Sequence, residues 1–505
     1  MKNTILASAS FLALSIASPA LAQNQSTVTQ NGSDSSVTVN QPGSDNTSTV
    51  TQAAASENNA ATITQSGTNG TSTVTQEADA GGLVGNVVTV DQTGDGAEST
   101  VTQSGIAFLN VDVDQDGDST SRVTQSGDQL IVTVNQSGGD LNSSVINQTA
   151  DLSGANIAQI GDSNFSQVQQ SGAFQDYNST QTGESNRSIV LQEGTGQTAA
   201  LTQTGNTNDS TIIQRNANHN ATITQTGDNN ISYSEQRGTN ATNTVTQLSD
   251  NNNSRVSQGT NGSTATVLQQ GADGNNLSII RQFNANTSTA TITQNGADLG
   301  SAALVTNDSI VEQGGSNHTF TSLQTGDGNE STGDQLGNGQ TASLTQGGLD
   351  NSSTIIQSNV LNSSTVLQDA DGNTSTTNQS GTNGFINVNQ TSDDSTSSVT
   401  QSGASDIAFV DQIGNANSST VLQNAGGLDN EVDVNQNGSD GISEMTQSGT
   451  DNFAELFQGG SLNESYVIQD GLNNSASVSQ GGAGDVSSVS QIGTGNSITV
   501  TQNVP

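Results

Sequence analysis

The sequence predicts an all-β fold: a two-sheet parallel β-solenoid with turns of about 22 residues, each turn made of two 11-residue strand–turn units. Three observations predict it. Glutamine returns at a step of eleven, an aliphatic residue stands two positions before it, and a turn rich in Gly and Asn follows it. Composition points the same way. Only 29% of the 505 residues are hydrophobic and 3% aromatic, with no tryptophan. That is too little to fill a thick globular core, but enough for narrow stacked layers.

The glutamine step comes first. One unbroken run passes from Gln148 through Gln159, Gln170, Gln181, Gln192, Gln203, Gln214, Gln225, Gln236, Gln247 and Gln258 to Gln269. A second run, from Gln313 to Gln423, contains Gln346, Gln357, Gln368, Gln401 and Gln412, and a third passes from Gln436 through Gln491 to Gln502. Slips such as Gln52 to Gln65, Gln76 to Gln92 and Gln294 to Gln313 add Gly, Ala, Asp and Leu. The ladder totals 42 glutamines from Gln30 to Gln502, so residues 23–505 read as one repeat domain.

The strand precedes the glutamine. Its core position, two residues earlier, holds Val50, Ile63, Val74, Ile223, Val245, Val399, Val421 and Val500. Only Ser179, Ser234, Ser322, Gly333 and Thr377 are polar or glycine there. Two residues earlier again the side chain is usually small, as at Ser48, Ala61, Ala221 and Ala290. Offsets of two put these residues on one strand face, and the intervening threonines face outward. The turn follows, with Gly205 and Asn208, Gly227 and Asn230, Gly414 and Asn417, and Gly493 and Asn496 two and five residues after a glutamine. Gly and Asn tolerate positive φ, and the Asn amide can satisfy turn amides. In an in-register stack each glutamine amide donates to its equivalent one rung away and accepts from the other side, so burial leaves nothing unpaired between the ends. About 21 rungs at ~4.8 Å make a body roughly 100 Å long.

The first 22 residues read as a secretory signal peptide: Lys2, an apolar stretch from Ile5 to Ala17, and a cleavage site at Pro19-Ala20-Leu21-Ala22. Without Lys2, six arginines face 47 acidic residues and the formal charge moves from −40 to −41. Such a balance excludes nucleic acid as a partner and disfavours an anionic membrane, and no later stretch is apolar enough to be inserted in a bilayer. There is no cysteine, hence no disulfide and no thiolate-bound metal.

The offsets of Gln491, Gly493, Asn496 and Gln502 are those of the curlin repeat, S-x5-Q-x-G-x2-N-x-A-x3-Q, and the chain resembles that family over nearly all of residues 23–505. The resemblance implies a subunit of extracellular, curli-type amyloid fibres in a biofilm matrix at the bacterial surface. It further implies export through an outer-membrane pore and nucleation by a minor homologue. The main expected partner is the chain itself. Two features differ: the repeats are far more numerous than in a typical major curlin, and the alanine after the Asn is often replaced.

Catalytic chemistry is not expected. The two histidines, His219 and His318, each occupy the turn-Asn slot, and there is no nucleophile motif or phosphate loop. No cofactor is expected. Metal binding is left open, with Asp91, Asp112, Asp114, Asp116 and Asp118 as candidates: Asp91 and Asp114 should stack outward on adjacent rungs, raising carboxyl pKa values. Two other functions compete with the fibre. A cell-surface adhesin or binding stalk would need a distinct end domain. An ice-binding solenoid would need a long uncharged face; the threonine pairs from Thr27/Thr29 to Thr100/Thr102 meet Arg122, and the opposite sheet carries Asp112, Phe409, Asp433 and Glu455.

Overall fold

Every glutamine-headed unit becomes a strand because its alternating residues can be buried on one side only. In the strand Asn220–Thr226, Ala221, Ile223 and Gln225 are buried while Thr222 and Thr224 between them are half-exposed. The computed structural model describes residues 23–53, 57–78, 85–105, 108–271, 274–296 and 307–503. The signal-peptide segment 1–22 lies outside them.

The described residues form 42 strands, numbered here in chain order. Odd-numbered strands, from β1 (Gln25–Gln30) to β41 (Val486–Thr494), make one 21-stranded parallel sheet, and even-numbered strands, from β2 (Ser36–Asn40) to β42 (Ser497–Gln502), make the other. Consecutive strands therefore lie on opposite sheets, and each strand pairs with those one turn before and after it. The register is in phase up to each glutamine, as in Ile223↔Val245 and Gln225↔Gln247, and among the described residues shifts only past Gln282, between Phe283 and Asn286. The slips leave it intact: Gln65 pairs with Gln92, and Gln294 with Gln324. This is the expected two-sheet β-solenoid, with no helix among the described residues.

Two details differ from expectation. Several odd strands run to nine residues and carry the ladder past the glutamine into the corner, as in β15 (Arg187–Thr195) and β17 (Asp209–Ala217). Gly194 allows this, with φ +117° and a virtual Cβ only 1.9 Å from the Asn216 carbonyl oxygen one turn on. The second detail is that the two sheets are chemically distinct. In all 21 odd strands the inward residue four before the glutamine is serine, from Ser26 to Ser487. In the even strands the same position is mostly Ala, Val or Ile. Some neighbouring serines bond along the column, Ser443 to Ser419 at 2.9 Å and Ser487 to Ser465 at 3.0 Å, while others, such as Ser210, Ser232 and Ser254, find no partner.

Val50, Ile63, Val74, Ile223, Val245, Val399 and Val421 are buried in the core; Val500, in β42, packs against it and is half-exposed. The five departures from the aliphatic column also have a physical reason. Tyr177 and Phe320 are oversized for their slots, and Ser179, Ser322 and Gly333 make room around them. A Cβ on Gly333, in β27 (Glu330–Asn338), would stand 2.0 Å from the ring of Phe320, in β26 (Thr319–Thr325). The Tyr177 hydroxyl lies 2.7 Å from Ser188 Oγ, Asn243 Nδ2 donates to Ser234 Oγ at 2.6 Å, and Ser364 and Thr377 hydroxyls meet at 3.0 Å. Each of these three insertions thus finds a polar partner on the facing strand, although Ser179 Oγ and Asn243 Oδ1 are left without one.

Candidate functional site: the rung-to-rung interface

The surface with the strongest chemical character is the one each rung offers the next. Its central feature is the glutamine column. Gln181 Nε2 donates to Gln203 Oε1 at 2.8 Å, Gln203 to Gln225 at 2.8 Å, and Gln225 to Gln247 at 2.9 Å. On the odd sheet Gln192 donates to Gln214 at 2.9 Å, and Gln357 to Gln379 at 2.8 Å. Gln346 donates to Gln368, Gln401 to Gln423 and Gln412 to Gln436, each at 2.9 Å, and Gln469 to Gln491 at 2.7 Å. The same nitrogen also reaches backbone oxygens across the core: Gln203 Nε2 donates to Arg187 and Asn208 carbonyls, both at 3.0 Å. Each glutamine thus ties its own rung, the facing sheet and the next rung together. All these amides point the same way along the axis.

A second amide column stands at the corner after the even strands. Asn186, Asn208 and Asn230 are fully buried. Asn208 and Asn230 backbone N–H groups donate to the Oδ1 of Asn186 and Asn208 at 3.1 and 2.9 Å, while Asn208 Nδ2 donates to the Gly227 carbonyl at 2.8 Å. Asn417 Nδ2 donates likewise to Gly438 O at 2.8 Å. The corner after the odd strands repeats the pattern near the C-terminus, where Asn496 N–H donates to Asn474 Oδ1 at 3.1 Å. Gly205 and Gly227 hold the corner after the even strands at φ +115° and +103°, and Gly493 holds the opposite corner at +109°. Gly414 has no room for a Cβ, which would lie 1.9 Å from Gly438 O.

His219 and His318 occupy the equivalent slot at the other corner, both 1% exposed. His219 Nε2 donates to the Arg215 carbonyl at 2.6 Å, and its Nδ1 accepts the Ala241 N–H at 3.2 Å. This is the asparagine pattern, and it requires the neutral ring. His318 Nε2 donates to Gly314 O at 3.2 Å. Burial holds both rings below their ordinary value of 6.5. The stability of the neutral rings is therefore present above about pH 6.5 and lost as the pH falls through the depressed folded values. Carboxyls shift oppositely: desolvation raises Asp114, Asp334, Asp406 and Asp433 above 3.8. Their contribution is full below the unfolded value and fades as pH rises through the raised one. We expect stability to fall as the pH drops below about 6.5 through the depressed histidine values, and to recover on acidification through the raised carboxyl values. Thermal melts of wild type and His219→Asn/His318→Asn check this: the double variant should lose the first limb alone.

Of the metal candidates, Asp91 and Asp114 are register neighbours on the even sheet, and Asp112 stands between Thr89 and Thr133. Asp114 stands on the outer face and is exposed, yet partial desolvation by the sheet raises it first and the charges of Asp91, Asp112 and Asp116 next, so desolvation outranks the expected repulsion. Asp118 belongs to the corner, where its N–H donates to Asp140 Oδ1 at 3.1 Å. Among the described residues no three His, Cys, Asp or Glu side chains are grouped to hold a metal ion.

Along this interface, the columns of β38 (Phe453–Gln458) to β42 coincide with two overlapping matches to the curlin associated repeat, at residues 449–482 and 472–503. The chain carries curlin repeats. No curated protein matches it. Within the curlin-repeat segment, Gln469, Asn474 and Gln480 make the same contacts as their counterparts earlier in the chain. The serine column, invisible at a step of eleven, emerges at a step of 22, and that is the signal the glutamine period concealed.

Proposed function

We propose that this curlin-repeat chain is a secreted structural protein that polymerises through end-to-end docking of solenoids. Its product is an extracellular amyloid-like fibre of the biofilm matrix at the bacterial cell surface. It is not an enzyme, and its main partner is a further copy of itself; an export pore and a minor nucleator follow from the family resemblance alone. One observation carries the reading: the rung-to-rung interface is the same at every step, so a rung that accepts its own neighbour accepts an equivalent rung of another chain. Val28 and Gln30 in β1 and Val500 and Gln502 in β42 are half-exposed, whereas their counterparts from β3 to β41 are buried. Purified protein is expected to form fibres after a lag that fragmented fibres abolish, and to do so faster at pH 4.5 than at pH 7 as carboxylate repulsion falls. Thioflavin fluorescence with electron microscopy is the measurement. Protein that stays monomeric for days beside seeds removes the proposal.

A further inference from the structure

The two outer faces of the solenoid are made by strands of the same six-residue grammar, yet over the same rungs they carry different chemistry. On the even sheet, the eight strands from β16 (Thr198–Thr204) to β30 (Ser363–Gln368) present three outward columns, one, three and five residues before each glutamine. Of these 24 positions 17 are threonine and none is charged. The odd strands from β15 to β29 (Ser352–Val360) present 24 equivalent positions with 3 threonines and 9 charged residues, among them Arg255, Glu312 and Asp334. Strand propensity favours threonine equally on both faces, so it does not account for a field confined to one.

The field is ordered in two dimensions. In the middle column Thr222, Thr244, Thr266, Thr291 and Thr321 are paired rung to rung without a slip. Rungs repeat at about 4.8 Å and columns at about 6.7 Å, giving a patch on the order of 34 by 13 Å. Threonine has a stiff χ1, so each site repeats one hydroxyl and one methyl in a fixed orientation. Beneath it, buried Ala221, Ile223 and Gln225 hold the sheet rigid. The pairs near the N-terminus that end at Arg122 lie on the other sheet, and the charges Asp112, Asp433 and Glu455 lie outside these eight strands.

We propose that this threonine face binds ice: its hydroxyls and methyls order a water layer whose repeats approach those of the ice lattice. A charge in the field would hold water in an ion shell incompatible with a lattice, and here no charge occurs. This activity is independent of fibre formation and belongs to a side face rather than to the rung-to-rung interface.

The test compares purified wild type, Thr244→Asp/Thr266→Asp in the field, and Thr332→Asp/Thr354→Asp on the opposite face. Circular dichroism checks that all three keep their β signal. Uptake into a slowly growing ice hemisphere is read against albumin. Wild type and the opposite-face variant should concentrate in the ice, and the field variant should be excluded like albumin. Exclusion of wild type overturns the proposal, as does equal behaviour of the two variants. If the field variant changes only the side-by-side packing of fibres, with ice uptake intact, the face is an interface between copies and the proposal fails.

Discussion

Gly333→Val is expected to be among the most damaging single changes in the chain, although it restores the aliphatic residue that most strands carry there. The first added carbon would lie 2.0 Å from Phe320 Cε2 and 2.4 Å from Cζ. The ring cannot retreat, because it is wholly buried between the sheets. Overpacking a tight core typically costs about 1–3 kcal/mol, and a contact this short belongs at the upper end. Phe320→Ala alone leaves a cavity and should cost about 3–5 kcal/mol. The double variant rebuilds the small-then-aliphatic arrangement of neighbouring rungs, so the two effects should cancel in part, with a coupling of about 2–3 kcal/mol. Hydrogen exchange at β26 and β27 reads the effect locally, which suits a stack whose rungs open nearly one by one. Strictly additive effects would show that Gly333 is not there to seat the ring.

The second large effect concerns the amide column. Gln225→Leu leaves Gln203 Nε2 its two carbonyl acceptors but takes the donor from Gln247 Oε1, in a site with no access to water. An orphaned buried acceptor costs about 1–3 kcal/mol, whereas the outward Thr224→Ala should stay within about 0.5 kcal/mol. Replacing Gln203, Gln225 and Gln247 together by leucine should cost clearly less than three single changes, since only the boundaries of the block lose partners. Denaturant melts of the single, triple and Thr224 variants decide it. A triple variant three times as damaging as the single would mean that each amide acts alone.

Most of this architecture was legible because a period of eleven, with an apolar residue at an offset of two, leaves little choice of fold. The glutamine columns, Val50 to Val421, and the turn glycines could be placed from spacing alone. What spacing at eleven hides is the difference between alternate units: Ser210 and Ala221 both count as small, and only the pairing of β17 with β15 reveals an unbroken serine column. The threonine field was missed for the same reason, since threonine is scattered along the whole chain until strands are sorted by sheet. The extension of β15 past Gln192 depends on a positive φ at Gly194, which the residue permits but does not announce. A raised Asp114 carboxyl was expected from stacking alone, but its main cause, partial desolvation on an otherwise exposed face, needed three dimensions.

The alternation of serine-bearing and alanine-bearing strands gives the chain a parity. A loss or duplication of one 11-residue unit would move every later strand to the opposite sheet. Ser columns would then abut Ala and Val columns, and any later threonines of the field would trade places with arginines and carboxylates. A change of 22 residues leaves every later residue on its own face. Repeat number can therefore drift freely only by whole coils, and a half-coil change is a frameshift written in three dimensions.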